Sequence, residues 1–211
     1  MGKRTAIVGA TGAVGTTMLS ILEERGFPVS ELRLMASSRS AGRVVPTKWG
    51  DLTVEDLATT DPVGLDVALF SAGGSRSREY APKFAAAGCT VIDNSSAFRQ
   101  EPSVPLVVAQ VNDAAIHSHN GIVANPTCTT MVVMMAVGPL HRAAGLRRMT
   151  ATSYQSVSGS GQTGIEVLTH ELNILGKDRE SLTRGGWSDP NSDLYSRPIG
   201  FNVLAHAGSF T

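Results

Sequence analysis

The chain has 211 residues, of which 42% are hydrophobic and 17% charged, a balance that is typical of a folded globular protein and excludes extensive disorder. Lysine plus arginine and aspartate plus glutamate number 18 each, so the formal net charge is zero. We therefore expect no nucleic-acid partner and, without a long apolar run, no membrane span. Two cysteines do not make a disulfide framework, and we expect no secretory leader, so a reducing, cytoplasmic setting is favoured.

Short apolar runs alternate with helix-like segments through the first half of the chain. The runs lack the apolar–polar alternation of a sheet with one solvated face, which indicates parallel strands buried on both faces. Gly26 ends the first helix, and Pro28 prevents its resumption. The pattern predicts a Rossmann-like α/β domain over residues 1–126, with strands at residues 5–8, 32–36, 66–70, 90–93 and 122–124 and helices at residues 16–25 and 77–87.

A glycine turn follows the first predicted strand with the spacing G-x-x-G-x-x-G. The strand before it and the helix after it supply the context that a dinucleotide-binding turn requires. Glycines allow backbone N–H groups to approach a pyrophosphate, which the positive end of the helix also attracts. A plain tight turn is the alternative. The spacing predicts a cofactor site at Gly9, Thr11, Gly12, Ala13, Val14 and Gly15.

The second predicted strand ends in a loop without an acidic residue. NAD-selective folds usually carry an aspartate or glutamate there, roughly 20 residues after the glycines, and this carboxylate binds the ribose hydroxyls. Here the loop contains Ser37, Ser38, Arg39 and Ser40. Hydroxyl groups and a guanidinium are suited to a 2′-phosphate through charge-assisted hydrogen bonds. A solvated polar loop is the alternative, but we interpret the loop as an NADP-binding segment.

A candidate nucleophile lies after the last predicted strand of this domain. Asparagine is a preferred N-cap and proline suits the first helical position, so the sequence predicts a helix that begins at Pro126 with Asn125 as its cap. Cys128 then lies in the first turn, where the helix dipole favours the thiolate that attacks carbonyl groups. A purely structural cysteine is the alternative. Cys89, beside a predicted strand, is interpreted as a small buried hydrophobe.

The sequence changes character after Cys128, and we place the start of a second, α+β domain with a catalytic or dimerisation role at residues 127–211. Residues 146–156 alternate in part, as a strand with one solvated face would. Apolar residues at 165–175 have helical spacing. The remaining segments are a predicted loop at residues 177–198 and a predicted strand at residues 201–204.

Three further polar features lie in the second half of the chain. Ser158 and Gly159 follow a predicted strand, where backbone can contact a ligand or form only a flexible turn. Gln155 lies near the end of that strand, where its amide can hold a substrate or satisfy a neighbouring backbone group. His117 and His119 lie in a polar loop with no third ligand, so we predict no metal site.

Seven motifs occur in order along nearly the whole chain. No single motif is specific, but the ordered set resembles the bacterial aspartate-β-semialdehyde dehydrogenases. The motifs are the glycine turn, Ser-Arg-Ser-Ala-Gly, Phe-Ser-Ala-Gly-Gly, Asp-Asn-Ser-Ser-Ala-Phe-Arg, Asn-Pro-x-Cys-Thr-Thr, Tyr-Gln-x-Val-Ser-Gly-Ser-Gly and Pro-Ile-Gly-Phe-Asn-Val.

The resemblance implies a role for each matching position. Residues 11–14 would contact the pyrophosphate, and Arg39 and Ser40 the adenosine 2′-phosphate. The cofactor site would be completed by Ser71, Ala72, Gly73, Ser158 and Gly159. Cys128 and Gln155 would be catalytic, the cysteine as the carrier of an acyl-thioester. The substrate and inorganic phosphate would be bound by Arg99, Asn125 and Gln155. For Arg99, a solvated surface charge is the alternative.

The reaction that the resemblance implies is NADPH-dependent reductive dephosphorylation of aspartyl phosphate to aspartate semialdehyde, on the route to lysine, threonine and methionine. In the reverse direction a Cys128 thiolate attacks the aldehyde, hydride leaves to NADP, and inorganic phosphate displaces the thioester. The resemblance also implies a homodimer or homotetramer.

Two departures from the family pattern leave alternatives open. Thr127 stands where these enzymes typically carry asparagine. Family members also have a phosphate-binding lysine, a substrate-binding arginine and a catalytic histidine in a segment that none of the five histidines here matches. We therefore expect this chain to be an N-terminal part of such an enzyme. The alternatives are a non-catalytic NADP-binding module, an inactive fragment of the family, or a related acyl-phosphate reductase such as the N-acetylglutamyl-phosphate enzyme.

Overall fold

The computed structural model describes residues 2–177, 179–184 and 194–205. The chain divides into two compact units, Met1–Ala151 and Thr152–Thr211, and each is described by itself. The long helix that begins at Cys128 belongs to the first unit. The predicted domain boundary after residue 126 remains a prediction.

The first unit is built on a parallel sheet. Six strands lie in the order β5-β2-β1-β6-β7-β8, and every neighbouring pair is parallel. The two other strands, β3 and β4, form a separate antiparallel ribbon. The strands are β1 (Lys3–Val8), β2 (Val29–Ala36), β3 (Val44–Thr47), β4 (Gly50–Thr53), β5 (Glu55–Asp56), β6 (Val67–Phe70), β7 (Thr90–Asp93) and β8 (Ile122–Ala124). The predicted Rossmann-like sheet is confirmed, whereas β3, β4 and β5 were not predicted.

Three α-helices lie in the described part of this unit, and the first two cover opposite faces of the sheet. They are α1 (Ala13–Glu24), α2 (Gly74–Ala86) and α3 (Cys128–Ala144), with a 3-10 helix at Asp113–Ser118. Ile7 of β1 packs in one buried cluster with Leu22 of α1, and its neighbour Val8 packs in another with Phe84 of α2. Phe70 meets Phe84 edge to face, with ring centroids 5.1 Å apart. Because successive residues of β1 are buried on opposite faces, the strand shows no apolar–polar alternation.

The strand order fixes where a ligand can bind. From β1 the chain crosses to β2 on one side, and after β5 it returns to β6 on the other side of β1. The loops that follow β1 and β6 therefore diverge, which leaves a crevice at the carboxyl ends of the two strands. Ligands of open α/β sheets bind at such a switch point.

The second unit contains a 3-10 helix (Val157–Ser160), α4 (Gly161–Leu175) and α5 (Arg179–Arg184). The predicted helix at residues 165–175 is confirmed as the larger part of α4. Glu171 of α4 is buried, and its Oε2 accepts hydrogen bonds from the backbone N–H groups of Ile199 at 2.7 Å and Gly200 at 2.5 Å. The Glu171 carboxylate therefore holds the backbone at Ile199 and Gly200 against α4 by hydrogen bonds.

Three predictions about the second half were wrong. Residues 146–156 and 201–204 are not strands, because a strand needs a partner and no ladder among the described residues includes them. Phe201 has a φ of 56°, which is incompatible with extended backbone. The predicted loop at residues 177–198 is interrupted by α5, where Glu180 and Arg184 form an ion pair one turn apart at 2.7 Å. Residues 185–193 of that loop lie outside the described residues.

Candidate cofactor and nucleophile site

The glycine turn closes tightly against the loop that follows β6. Gly9 has a φ of 89°, and a Cβ placed there would lie 2.4 Å from the backbone oxygen of Ser71. The N–H of Ser71 in turn donates to Val8 O at 2.8 Å. Only glycine satisfies both the conformation and the contact. The turn therefore brings the loop after β1 into direct contact with the loop after β6, which contains Ser71, Ala72 and Gly73.

Helix α1 begins on this turn without a side-chain cap. Its N-cap residue is Gly12, whose N–H donates to Gly9 O at 3.0 Å. A Cβ at Gly15 would lie 2.1 Å from Gly9 O, so the helix packs directly on the turn. The first backbone N–H groups of a helix have no acceptor within it, and here no side chain supplies one. The amides of Ala13 and Val14 are thus available to an anion at the positive end of the helix.

Helix α2 starts in the same way on the other side of the crevice. Its N-cap is Gly73, which has a φ of 88° and provides no side-chain cap. Two uncapped helix N-termini therefore meet at the carboxyl ends of β1 and β6. This arrangement fits a dinucleotide, whose pyrophosphate needs N–H donors and tolerates no nearby carboxylate.

The loop after β2 borders the glycine turn. Thr11 Oγ1 donates to Ser40 Oγ at 3.2 Å, which links the two predicted cofactor segments directly. The N–H of Ser40 donates to Ser37 O at 2.8 Å and closes the loop as a turn. Ser38 and Arg39 are exposed at its tip. The structure thus brings Ser40 to the glycine turn and leaves the Arg39 guanidinium open to solvent.

A second cluster lies at the carboxyl ends of β7 and β8. Arg99 donates from Nε to Asn125 O at 2.7 Å and from Nη2 to Asn94 O at 3.0 Å. These two bonds leave other N–H groups of the guanidinium unused. The N–H of Asn125 donates to Asp93 O at 2.8 Å. Arg99 and Asn125, two predicted substrate residues, are therefore in direct contact.

The predicted cap of α3 was wrong. The helix begins at Cys128, and its N-cap is Thr127, whose Oγ1 accepts from Thr130 N at 3.4 Å and lies 2.9 Å from Thr130 Oγ1. Asn125 does not cap the helix because its backbone groups are held by Asp93 and Arg99 at the end of the sheet. The threonine that departs from the family pattern therefore supplies the cap. Cys128 is the first helical residue and is exposed.

The two cysteines differ sharply in environment. Cys89 is 1% exposed, and burial, with a smaller contribution from the charge of Asp66, raises the pKa of its thiol to about 11. Cys128 is exposed in the first turn of α3, where a reagent in solution can reach its sulfur. We therefore expect iodoacetamide to alkylate Cys128 at least about tenfold faster than Cys89 at neutral pH, as measured by peptide mapping of folded protein. In urea the two rates should converge, and faster labelling of Cys89 in folded protein would exclude Cys128 as the nucleophile.

The predicted residues of the second unit lie close together. A Cβ at Gly159 would lie 2.0 Å from Gln155 Nε2, so the Gln155 side chain covers this glycine. Ser156 Oγ accepts from Ser158 N at 3.3 Å and caps the 3-10 helix. A cleft of about 500 Å³ is lined here by Gln155, Val157, Leu168, Ile199, Phe201 and Asn202.

Sequence reasoning missed two buried acids. Asp93 was interpreted only as the end of a strand, but its side chain is fully buried and bonded to Ser77 and Ser95. Glu171 was not singled out at all. An acidic residue within a buried strand or on an apolar helix face was the available signal, since such groups are rarely buried without a role.

The described histidines lie in no cluster of potential metal ligands. Within the described ranges, no three potential ligands among histidine, cysteine, aspartate and glutamate lie together. His119 Nδ1 instead accepts from Gly121 N at 3.0 Å. Over the same ranges, no helix is both long enough and apolar enough to span a membrane.

Comparison with known proteins gives matches over most of the chain. Residues 4–119 match the semialdehyde dehydrogenase NAD binding domain, and residues 137–211 match the semialdehyde dehydrogenase dimerisation domain. Aspartate-semialdehyde dehydrogenase from Streptomyces akiyoshiensis is 53% identical over 98% of this chain and 61% of its own length. The chain thus spans about three fifths of the length of the curated relatives it matches.

Solved structures agree with these matches. The crystal structure of aspartate semialdehyde dehydrogenase II from Vibrio cholerae is 40% identical and superposes with a TM-score of 0.90, covering 100% of this chain and 61% of that one. The aspartate semialdehyde dehydrogenase from Candida albicans, solved with NADP, is 26% identical, with a TM-score of 0.53 over 68% of this chain and 48% of that one.

Proposed function

The chain belongs to the semialdehyde dehydrogenase family, and from that premise we propose that it supplies the NADP-binding site and the cysteine nucleophile of an aspartate-semialdehyde dehydrogenase. The observation that carries this proposal is the position of Cys128. It is exposed at the N-terminus of α3, just beyond β8. Because the sheet is parallel, β8 ends at the same edge as β1 and β6, where the uncapped helices begin.

The residues at this edge support acyl transfer. The Cys128 thiolate attacks the carbonyl carbon of aspartate semialdehyde, and the backbone N–H groups at the start of α3 stabilise negative charge beside it. NADP, when bound, supplies the hydride acceptor that oxidises this adduct to a thioester. Arg99 holds inorganic phosphate, whose oxygen attacks the thioester carbon, breaks the carbon–sulfur bond and releases aspartyl phosphate and the thiolate. In the cell the reverse direction makes aspartate semialdehyde for lysine, threonine and methionine synthesis.

The second unit contributes the remaining groups in this proposal. Gln155 holds the substrate through its amide, and Ser158 and Gly159 contact the cofactor through their backbone and hydroxyl groups. The match of residues 137–211 to a dimerisation domain supports a homodimer. The free thiols of Cys89 and Cys128 support a reducing, cytoplasmic setting.

The choice of NADP over NAD rests on the loop after β2. Ser38 and Arg39 are exposed beside Ser40, which contacts the glycine turn, and the loop contains no carboxylate that would repel a 2′-phosphate. The NADP complex of the Candida albicans enzyme supports the same choice. We expect NADP to bind at least tenfold more tightly than NAD, or about 1.4 kcal/mol.

Arg39→Ala should remove most of that preference, because it removes the charge that pairs with the 2′-phosphate. Calorimetric titration with both cofactors measures the ratio of dissociation constants. Arg25→Ala is the matched control, since Arg25 is an exposed arginine at the opposite end of α1. A preference that survives Arg39→Ala, or equal affinities in the unaltered protein, would contradict the assignment.

The direct test of the function is transfer of the aspartyl group from aspartyl phosphate to Cys128. A protein that binds NADP but is never acylated would be a cofactor-binding module without this chemistry.

A further inference from the structure

A buried carboxylate joins the start of α2 to the loop that contains Arg99. Asp93 is 0% exposed at the carboxyl end of β7. Its Oδ1 accepts a hydrogen bond from Ser77 Oγ and its Oδ2 from Ser95 Oγ, each at 2.7 Å. Ser77 is also fully buried and lies in α2, whereas Ser95 lies in the loop after β7. Each oxygen of one carboxylate thus holds a different element.

The donors to Asp93 are neutral. None of the ion pairs formed among the described residues involves this carboxylate. A buried carboxylate without a cation is expensive, and an apolar side chain would fill the same position more favourably. Packing therefore does not explain the residue. The contacts of Ser77 and Ser95 offer an explanation, because Ser77 connects Asp93 to the cofactor crevice and Ser95 connects it to the loop that contains Arg99.

The Ser77 side leads to the cofactor crevice. The N–H of Ser77 donates to Gly73 O at 3.0 Å, and Gly73 is the N-cap residue of α2. A Cβ at Gly74 would lie 3.5 Å from Ser96 Oγ, so the first turn of α2 packs against the loop after β7. Any shift of this turn when a dinucleotide binds must move Ser77 or strain its bond to Asp93.

The Ser95 side leads to Arg99. Ser95 Oγ donates to Asp93 and accepts from Ala97 N at 3.0 Å, which fixes the first half of the loop. Arg99 ends the same loop and donates back to Asn94 O and Asn125 O. The Asp93–Ser95 bond therefore sets the loop conformation that aims the guanidinium.

We propose that Asp93 is a positioning residue that couples the cofactor crevice to the oxyanion site at Arg99, so that NADP and inorganic phosphate each bind more tightly when the other is present. This inference rests on the proposed function, since it assumes NADP at the crevice and phosphate at Arg99. Coupling of two ligands is reciprocal, and values of about 5–150-fold are typical. We expect roughly tenfold here.

The test is a titration of NADP with and without inorganic phosphate, with sodium chloride holding ionic strength constant. In the unaltered protein phosphate should lower the NADP dissociation constant by about tenfold. In Asp93→Asn the ratio of the NADP dissociation constants without and with phosphate should be close to one, because the amide oxygen can accept from one serine but the amide nitrogen cannot accept from the other. The NADP affinity of this variant without phosphate should change less than about threefold. Ser95→Ala, which removes a single hydroxyl, should lose the coupling with less disturbance of the fold.

The matched control is Thr5→Val. Thr5 is a hydroxyl residue that is 1% exposed in β1, and its Oγ1 bonds only locally, to Lys3 O at 3.3 Å. The Thr5→Val variant should be less stable to unfolding but should keep the effect of phosphate on NADP affinity. Coupling that persists in both Asp93→Asn and Ser95→Ala would show that Asp93 serves stability alone. Binding of both ligands without coupling in the unaltered protein would overturn this inference only, whereas failure to bind NADP or phosphate at all would also overturn the proposed function.

Discussion

Replacing Cys128 with serine should abolish transfer of the aspartyl group from aspartyl phosphate to the protein. The thiolate attacks the acyl carbon and forms a carbon–sulfur bond. The bond between the acyl carbon and the bridging phosphate oxygen breaks, and inorganic phosphate leaves. A serine hydroxyl without an adjacent base is a far weaker nucleophile, so the rate of acylation should fall by at least about 10³-fold. This step needs neither NADP nor hydride transfer, so it isolates the role of the cysteine.

The measurement is mass spectrometry of peptides after brief exposure to aspartyl phosphate. The acyl group should be found on the peptide that contains Cys128 and should be released by hydroxylamine, as a thioester requires. Cys89→Ser is the matched control, because it removes the other cysteine from a buried site and should leave acylation unchanged. Acylation that is equal in Cys128→Ser, or that maps to Cys89, would rule out the proposed nucleophile.

This result also separates the functional hypotheses. Acylation at Cys128 by aspartyl phosphate supports the aspartate-semialdehyde dehydrogenase reaction. Preference for N-acetylglutamyl phosphate would favour the related acyl-phosphate reductase, since the chemistry at sulfur is the same and only the acyl group differs. No acylation by either compound, together with NADP binding, would leave a cofactor-binding module.

The parallel sheet was predictable because its signal is local. Strands β1, β6, β7 and β8 are short apolar runs buried on both faces, and their observed bounds lie within two residues of the predicted ones. The ribbon and β5 were not predictable in this way. β5 has two residues, Glu55 and Asp56, and it is held to β2 by Arg33, whose guanidinium donates to both oxygens of Glu55 at 2.8 and 2.6 Å. A pairing made by residues 22 positions apart leaves no periodic pattern.

The proposed cofactor segments were predicted from motifs, whereas the surroundings of the candidate nucleophile depend on contacts between residues far apart in sequence. Helix rules favour Asn125 as a cap, but they take no account of Asp93 and Arg99, which bind its backbone. Asp93 itself became notable only when the fold brought Ser77 beside it. The order of motifs therefore predicted the regions of the candidate site, and only the tertiary structure showed which atoms join them.

Gly9→Ala should both destabilise the protein and weaken NADP binding. Gly26→Ala is the control that separates the effect of a positive φ from the effect of the contact between Gly9 and Ser71. Both glycines have positive φ, 89° at Gly9 and 60° at Gly26. A positive φ costs an alanine about 1–2 kcal/mol of conformational free energy at either position. At Gly26 a Cβ meets nothing within 4 Å, so this penalty should be the whole effect.

At Gly9 the added methyl group would lie 2.4 Å from the backbone oxygen of Ser71, which cannot swing aside as a flexible side chain would. Relief requires the loops after β1 and β6 to separate, and overpacking of this kind adds about 1–3 kcal/mol. We expect Gly9→Ala to lower the free energy of unfolding by about 2–5 kcal/mol, against about 1–2 kcal/mol for Gly26→Ala, as measured by urea denaturation.

Because the same separation displaces the N-terminus of α2 from that of α1, NADP affinity of folded Gly9→Ala should fall at least about 100-fold, whereas Gly26→Ala should bind as the unaltered protein does. Fluorescence titration with NADPH at a temperature where circular dichroism shows both variants folded gives the comparison. Similar affinities and similar stabilities in the two variants would mean that the contact between Gly9 and Ser71 does not shape the cofactor crevice.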